Sequence, residues 1–380
     1  MFKISRNISN PIPAILPQVD RRFIWIGLGL LTFLLGQLFS WNPNFTEIFY
    51  SRGIFLGFRW IWDHTLGKLP FPLLYLFVPL LLFWIGRKIR ITLRNYKPLK
   101  WRHRLGSLFL SVLAFVSGVY FLFQFLWGFN YFRVPVQEQL QLEVNNLDSL
   151  DIQREVQWAT ARLLADRAAI PNAQNRPLSY EDLPDNLEDS VRLGLESLLR
   201  QSGYPTWAAH VRGRVLSPNG FLLRLGASGI YIPFVGEGHV DAALAPVSRP
   251  FTLAHELSHG YGFGDEGTAN FWGYVATQAS TNPAIRYSGS MAYWRYTARS
   301  LALLHPTSFQ ALRDSLPPAV IQDLQAIRKV YDTYPDFFPS FNDLVYNSYL
   351  KSQGIPEGTL SYNKIVPMVR AWRENVERVE

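Results

Sequence analysis

The residues with the clearest chemical potential lie between positions 255 and 266, where the sequence reads His-Glu-Leu-Ser-His and, seven residues later, Glu266. Two histidines four positions apart on a helix project from the same face, so both imidazoles can reach one metal ion. The carboxylate of Glu256 lies beside that face, where it can hold a water next to the metal and accept its proton. The spacing predicts a metal site with His255 and His259 as ligands and Glu256 as the general base.

The residues after this motif predict a third ligand. The helix is expected to end at three glycines, since glycine readily adopts a positive φ: Gly260, Gly262 and Gly264. Asp265 then fits as the N-cap of a second helix running to about residue 280, with Glu266 in its first turn. A catalytic zinc takes three protein ligands and keeps one position for water, so Glu266 is the predicted third ligand. Asn270 lies one turn further on the same face and is the predicted hydrogen-bond partner of a ligand.

These residues resemble the paired motifs H-E-x-x-H and E-x-x-A-D/N of gluzincin-type membrane metallopeptidases, with the second motif at residues 266–270. The sequence also resembles a bacterial membrane family, domain of unknown function 3810, along most of its length. The further segments that carry this resemblance are residues 127–133, 229–234, 286–289 and 346–351. The resemblance implies a zinc peptidase on a three-span membrane anchor.

The chain departs from this family at one point. Similar sequences often carry a second acidic residue and a further carboxylate after the first glutamate, where this chain has Gly267 and Thr268. Glu266 keeps the ligand position, so the metal prediction stands, but fewer carboxylates are available to support the ligands.

Long apolar runs predict a membrane anchor. Residues 23–40 and 105–130 contain no charged residue, and each run is long enough to span a bilayer core of about 30 Å. A third run, residues 71–85, is shorter, and prolines stand at positions 70, 72 and 79, so a re-entrant or interfacial segment is the alternative there. We expect three transmembrane helices, at about residues 23–40, 69–86 and 105–128. Residues 48–62 mix aromatic, aliphatic and arginine residues, which predicts an interfacial amphipathic helix.

The distribution of positive charge predicts the orientation. A basic cluster lies between the second and third spans: Arg87, Lys88, Arg90, Arg94, Lys97, Lys100, Arg102 and Arg104. By the positive-inside rule this loop is cytoplasmic, and the basic residues Lys3, Arg6, Arg21 and Arg22 place the N-terminus on the same side. The third span then carries the rest of the chain out of the cytoplasm. The net charge of +8 is therefore a membrane feature and does not indicate nucleic-acid binding.

We therefore predict a multi-pass protein of the plasma or inner membrane, with an anchor at residues 1–130 and an extracytoplasmic metallopeptidase-like domain at residues 131–380. Helices are expected at residues 147–169, 187–202, 284–304, 317–333, 340–352 and 362–378. Short strands are expected at residues 211–216, 221–225 and 230–235. The predicted fold class is a three-helix membrane anchor plus a mainly α, α+β zincin-like domain with a small sheet beside the active helix. An edge strand of that sheet could align a peptide substrate.

A hydrogen-bond donor to the developing oxyanion is also needed, and several residues are available: Arg286, Tyr287, Tyr346, Tyr349 and Tyr362. Tyr287 is preferred because it lies in the family-like segment 286–289, although aromatic residues on helices usually belong to a core. His239, which precedes the active helix, either lines the substrate groove or is structural.

The leading hypothesis is a membrane-anchored zinc endopeptidase that acts on peptide or protein substrates. The alternative is a non-catalytic membrane binding protein that retains a metal site. Glu256 argues against that alternative, because a purely structural site needs no base and more often uses four ligands. An intramembrane protease would carry its motif inside an apolar span of about 20 residues, whereas this motif lies far beyond the last one.

Overall fold

The computed structural model describes residues 20–96, 100–173, 175–205, 210–353, 355 and 364–379. The chain is mainly helical in these residues, with one small sheet. Lys3, Arg6, Lys97 and Tyr362 lie outside the described residues.

The helices follow one another along the whole described chain. The N-terminal part contains α1 (Arg21–Trp41), α2 (Pro43–Phe45), a π-helical segment (Thr46–Ile54), α3 (Phe55–His64), α4 (Leu74–Tyr96), α5 (Trp101–Leu126) and α6 (Val136–Gln139). The middle contains α7 (Ser149–Ala168), α8 (Leu187–Gln201), α9 (Arg249–Gly260) and α10 (Glu266–Gln278). The C-terminal part contains α11 (Pro283–Leu304), α12 (Pro306–Asp314), α13 (Pro318–Thr333), α14 (Pro339–Ser352) and α15 (Ile365–Val379).

Two helices of the described residues, α1 and α5, are long and apolar enough to cross a membrane. They pack against each other, and most of their surface is exposed in the isolated chain. Exposed apolar side chains cost free energy in water, and burial in a bilayer would remove this cost. The helices predicted at residues 23–40 and 105–128 are therefore confirmed as candidate membrane spans.

The third apolar run lies in α4, but this helix starts later and extends further than the predicted span at residues 69–86. Its second half carries Arg87, Lys88 and Arg90, and it is not among the described helices that are apolar enough along their length to be candidate spans. Residues 69–73 precede the helix and contact the sheet: the backbone N–H of Leu73 donates to Glu237 Oε2 at 2.8 Å.

The predicted amphipathic helix at residues 48–62 is helical, as the π-helical segment and α3, but its polar face points into the protein. Arg59 is buried, forms an ion pair with Asp63 and donates to the carbonyl of Gly236 at 2.6 Å. Ile48 and Trp60 are instead exposed. A helix whose apolar face points outward is typical of an element at a membrane boundary.

The sheet has three strands in the order β1-β3-β2: β1 (Arg212–Leu216), β2 (Gly229–Ile232) and β3 (Glu237–Asp241). The central strand β3 is parallel to β1 and antiparallel to β2. The first and third predicted strands correspond to β1 and β2, whereas β3 was not predicted. The whole of this strand is buried, although it contains three polar or charged residues.

The strand predicted at residues 221–225 is wrong, because this segment is a turn that ends in a 3-10 helix (Leu223–Leu225). The buried carboxylate of Asp241 accepts the backbone N–H groups of Gly220 and Leu222 at 2.8 and 2.7 Å. A buried carboxylate needs such donors, and the chain must curl around it to supply them. The turn is thus determined by a residue about twenty positions away.

The predicted helices of the domain are found as α7, α8, α11, α13, α14 and α15, within a few residues at each end. The short helix α12 was not predicted. The largest hydrophobic core runs from Val136 to Ala371 and is centred on α9, α10 and α11. The candidate functional residues therefore lie on helices that are held rigidly by packing.

Candidate metal centre

The His-Glu-Leu-Ser-His motif lies on α9, which is packed between α10 and the sheet. His255, Glu256 and His259 are all buried. On the sheet side, a Cβ atom at Gly238 would lie 2.8 Å from the Cβ of Glu256, and one at Gly229 would lie 2.5 Å from its Oε1. Glycine at these two positions therefore allows the strands to approach Glu256 closely.

The turn after α9 brings the next helix back against it. The α9 helix ends at Gly260, and Gly262 adopts a φ of +86° that only glycine readily accepts. Asp265 caps α10 as predicted, accepting the backbone N–H of Thr268 at 2.8 Å. Glu266 is then the first residue of α10 and faces the two histidines.

The three predicted ligands meet at one point. His255 Nε2 lies 3.1 Å from His259 Nε2 and 3.1 Å from Glu266 Oε2, and His259 Nε2 lies 3.5 Å from the same oxygen. A four-coordinate ion that is about 2.1 Å from each ligand atom holds these atoms about 3.4 Å apart. The observed distances match this spacing, and the buried triad can hold a metal ion.

The hydrogen bonds around the triad direct lone pairs towards its centre. His259 Nδ1 lies 2.7 Å from the carbonyl oxygen of Phe263, which can only accept, so Nδ1 carries the proton. His255 Nδ1 lies 2.9 Å from Asn270 Oδ1 and donates to it. With both imidazoles neutral, their unprotonated Nε2 atoms would point at each other and at a carboxylate. Three electron-rich atoms in this arrangement require a cation between them.

The pKa values of the triad reflect this requirement. Burial alone would lower the pKa of His259, but the Glu266 carboxylate outweighs burial and raises this pKa to about 9. Burial likewise opposes the charge of Glu266, yet the charge of His259 and hydrogen bonds from both histidines hold its pKa well below the usual value. In the absence of a metal, a proton on His259 thus acts as the cation.

We expect metal binding to displace this proton. A metal ion needs a neutral imidazole, so binding at about pH 7.5 should release about one proton per ion from His259. The release should fall as the pH rises through about 9, where His259 loses its proton even without metal. Calorimetric titration in buffers of different ionisation enthalpy measures this number. A release that stays constant up to pH 10 would contradict the coupling between His259 and Glu266.

The raised pKa of His259 also makes the stability of the metal-free protein depend on pH. The folded-state pKa of His259 lies above its ordinary value of 6.5, so protonation favours the folded state. This contribution to stability is complete below pH 6.5 and is lost as the pH rises through about 9.

Glu256 is a further ionisable group beside the triad. Burial raises the pKa of its carboxyl to about 7, against the opposing charges of His255 and His259. Its Oε2 has no hydrogen-bond partner in the described part of the chain. A buried carboxylate with an open oxygen and a pKa near neutrality is able both to accept and to donate a proton.

A tyrosine from a distant part of the sequence holds the third ligand. The hydroxyl of Tyr346, on α14, donates to Glu266 Oε1 and leaves Oε2 facing the histidines. Tyr346 is also one of the candidate oxyanion donors, and in the structure its hydroxyl orients the predicted metal ligand Glu266.

Replacing Tyr346 by phenylalanine is expected to weaken metal binding by about 10–100-fold, because Glu266 loses the hydrogen bond that orients it. Competition with a chromophoric chelator measures this affinity. The matched control is Tyr349→Phe, one turn along the same helix, whose hydroxyl contacts Tyr131 at 3.0 Å and no ligand. Equal affinities for the two variants would show that the Tyr346 contact has no role in binding.

The segment that follows α5 is attached to the same site. The indole N–H of Trp127 donates to the backbone carbonyl of His259 at 2.7 Å. Arg133 donates to the carbonyl of Gly262 at 3.0 Å and is paired with Glu47. The candidate membrane helix α5 therefore ends directly beside the second histidine, and the position of the triad depends on the anchor.

The structure does not bring Tyr287 to the triad. Its hydroxyl donates to Asp323 Oδ2 at 2.8 Å, and its ring lies beside the guanidinium of Arg167 in the helical core. This placement does not favour the predicted oxyanion role, because the hydroxyl is already bound to a buried carboxylate elsewhere in the domain. Arg286 is engaged with Asp166 and also lies outside the triad.

His239 occupies the buried strand β3. Its Nε2 lies 3.5 Å from Glu237 Oε2, on the strand face opposite to the one where Gly238 meets Glu256. The structural interpretation of His239 therefore fits better than a place in a substrate groove.

Comparison with known proteins places the chain in a family. A family model described as "Protein of unknown function (DUF3810)" matches residues 50–369, which is most of the chain. The chain belongs to this family. The DUF3810 region contains the metal triad, Glu256 and α14, whereas α1 precedes it. No curated protein and no solved structure matches the chain. The family's description states no activity, so the chemistry of the site rests on its geometry.

Proposed function

We propose that this protein is a membrane-anchored, zinc-dependent endopeptidase. The observation that carries the proposal is the convergence of His255, His259 and Glu266 within 3.5 Å of one another, with the open carboxylate of Glu256 beside them. Two imidazoles and one carboxylate in a tetrahedral arrangement are the ligands of catalytic zinc sites, which keep the fourth position open.

When bound, zinc supplies a Lewis acid that polarises a carbonyl and makes a water acidic near neutral pH. The protein supplies the remaining chemistry. Asn270 and the carbonyl of Phe263 orient the two imidazoles, and Tyr346 orients Glu266. These partners keep the ligands in place without movement during the reaction.

Glu256 is the proposed general base. It accepts the proton of the attacking water at its carboxylate and later donates this proton to the leaving amine. Its pKa of about 7, raised by burial, suits both steps at neutral pH. Gly229 and Gly238 of the sheet allow the strands to pack closely against this side chain.

The strand β2 is the proposed guide for the substrate. It pairs with β3 on one edge, and no other described strand pairs with its second edge. Gly229, at the start of β2, lies against Glu256. An extended peptide added along this edge would carry its scissile bond past the general base. The sheet, the α9 motif helix and α10 then form a zincin-like arrangement.

The proposed topology has three membrane spans, with α4 as the second. This helix exposes apolar side chains along its first half, including Leu80, Leu82 and Phe83. Its basic residues lie towards its C-terminal end, next to those that open α5. The positive-inside rule then places this end in the cytoplasm and the triad outside it.

The test uses the full-length protein, purified in detergent. We expect about one zinc per chain by elemental analysis, cleavage of a quenched fluorescent peptide library, loss of cleavage with a chelator and recovery with zinc. Absence of bound zinc would overturn the metal assignment. Zinc at one per chain without cleavage of any peptide would instead support a non-catalytic protein that holds a metal.

A further inference from the structure

Helix α14, which contacts Glu266 through Tyr346, carries an exposed apolar surface. We define the apolar row as the exposed large side chains at and just before the first half of α14: Phe337, Phe338, Phe341, Leu344 and Val345. Phe341 and Leu344 are 64% and 65% exposed, although both are strongly hydrophobic. A contiguous row of this kind marks a contact surface rather than ordinary surface variation.

One end of α14 is fixed to the candidate membrane helix α5. The side-chain amide of Gln124, in the last turn of α5, donates to the side chain of Gln353 at 2.9 Å, and both residues are buried. The ring of Tyr349 also packs edge-on against Phe123, with the ring centroids 6.0 Å apart.

The other end of α14 is fixed near the start of α4. The backbone N–H of Phe337 donates to the carbonyl of Arg224 at 3.0 Å, and the side-chain amide of Asn342 donates to the carbonyl of Leu225 at 3.1 Å. The same turn includes Leu222, which forms one buried cluster with Leu74 at the first position of α4.

The two attachments together orient the helix. Its 14 residues span about 21 Å, from the segment that enters α4 to the segment that leaves α5. In the proposed topology these two points lie at the same membrane surface, so α14 lies along that surface. Tyr346 and Gln353 are directed to Glu266 and Gln124, which leaves the apolar row on another side of the helix.

We propose that the apolar row of α14 is seated in the outer boundary of the lipid bilayer. The occupant is lipid because one end of α14 is attached to the last turn of α5, a candidate membrane span, and the other end is attached to the turn that packs on the first residue of α4, the second span of the proposed topology. An amphipathic helix of this kind buries its apolar face about 5–10 Å into the headgroup and acyl boundary. The proposal rests on the proposed membrane orientation, and it does not depend on zinc or on hydrolysis.

This seating has a consequence for the metal centre. The helix that contacts lipid on one side holds the ligand Glu266 on another, through Tyr346. Helix α14, which contacts Glu266, therefore lies at the membrane surface. A substrate of the proposed peptidase would reach the triad beside the bilayer.

The test places a fluorescent label on the apolar row in full-length protein in lipid nanodiscs. The chain contains no cysteine, so Leu344→Cys creates a single labelling site. The matched control is Leu303→Cys on α11, another leucine that is 77% exposed. Phe341→Cys provides a second site on the row in case the first variant does not fold.

We expect spin-labelled lipids to quench the labels at positions 344 and 341 several-fold more strongly than the label at position 303, and aqueous iodide to show the reverse order. Strong iodide quenching at the row would overturn the proposal. Protection from both quenchers would also overturn it, because the row would then contact another protein chain. Neither readout involves metal or cleavage, so failure here is distinct from failure of the proposed peptidase activity.

Discussion

The variant Glu256→Gln is expected to retain zinc and to lose peptide hydrolysis, with kcat lowered by about 10²–10⁴-fold. Glutamine has nearly the same shape as glutamate but cannot accept the proton of a water. Glu256 is not one of the three converging ligand residues, and its Oε2 makes no hydrogen bond within the described chain. Its substitution should therefore leave the triad intact. Elemental analysis and steady-state cleavage of the same preparation measure the two quantities.

The matched control for this variant is Thr252→Ala, one turn earlier on α9. The hydroxyl of Thr252 donates to the carbonyl of Ser248 at 2.9 Å and makes no contact with the triad. This variant should keep both zinc and activity. Equal cleavage by Glu256→Gln and the wild type would exclude Glu256 as the general base.

The second large effect, on zinc affinity, is expected when one of the three proposed ligands is replaced. His255→Ala, His259→Ala and Glu266→Ala should each weaken zinc binding by more than about 100-fold, because each removes a direct ligand rather than the partner of one. Activity should fall with metal content. Zinc affinity is measured by chelator competition, and activity is measured with zinc in excess.

A histidine outside the site provides the control for these variants. His210→Ala removes a side chain that is 57% exposed and interacts with Glu196 rather than with a residue of the triad. Its zinc content should equal that of the wild type. Full zinc content in His259→Ala would show that the ion binds elsewhere and would remove the basis of the proposed mechanism.

The local geometry of the candidate metal site was predictable because each of its features depends on residues that are close together in the sequence. The spacing of His255 and His259 follows from the helical repeat, and the turn at Gly262 follows from the freedom of glycine. Asp265 as the cap of α10 is a local side-chain to backbone contact. These three features suffice to bring Glu266 back to the histidines.

The sheet was less predictable because its central strand is stabilised by distant partners. Glu237 is paired with Arg214 and accepts the backbone N–H of Leu73, which precedes α4. Such polar residues favour a loop in sequence patterns, since an unpaired buried charge is costly. Only the tertiary contacts compensate for that cost and allow β3 to be buried.

The choice among the tyrosines also depended on tertiary structure. Tyr287 was preferred from its sequence context, but its hydroxyl lies against Asp323. Tyr346, eighty residues beyond Glu266, contacts that ligand instead. No local sequence pattern distinguishes Tyr287 from Tyr346, because each is a tyrosine on a helix whose hydroxyl contacts a buried carboxylate.

By itself, the sequence determined which residues converge in the triad, His255, His259 and Glu266, and the apolar helices α1 and α5, because helical spacing and hydrophobic length act over a few turns of chain. The tertiary structure decided which residues orient the ligands and how the anchor meets them. Trp127 at the end of α5 and Tyr346 on α14 reach the site from far along the chain. Their contacts arise only when separate helices pack together. A hydrogen bond requires partners within about 3 Å in space, and residues far apart in the chain show no local pattern that predicts it.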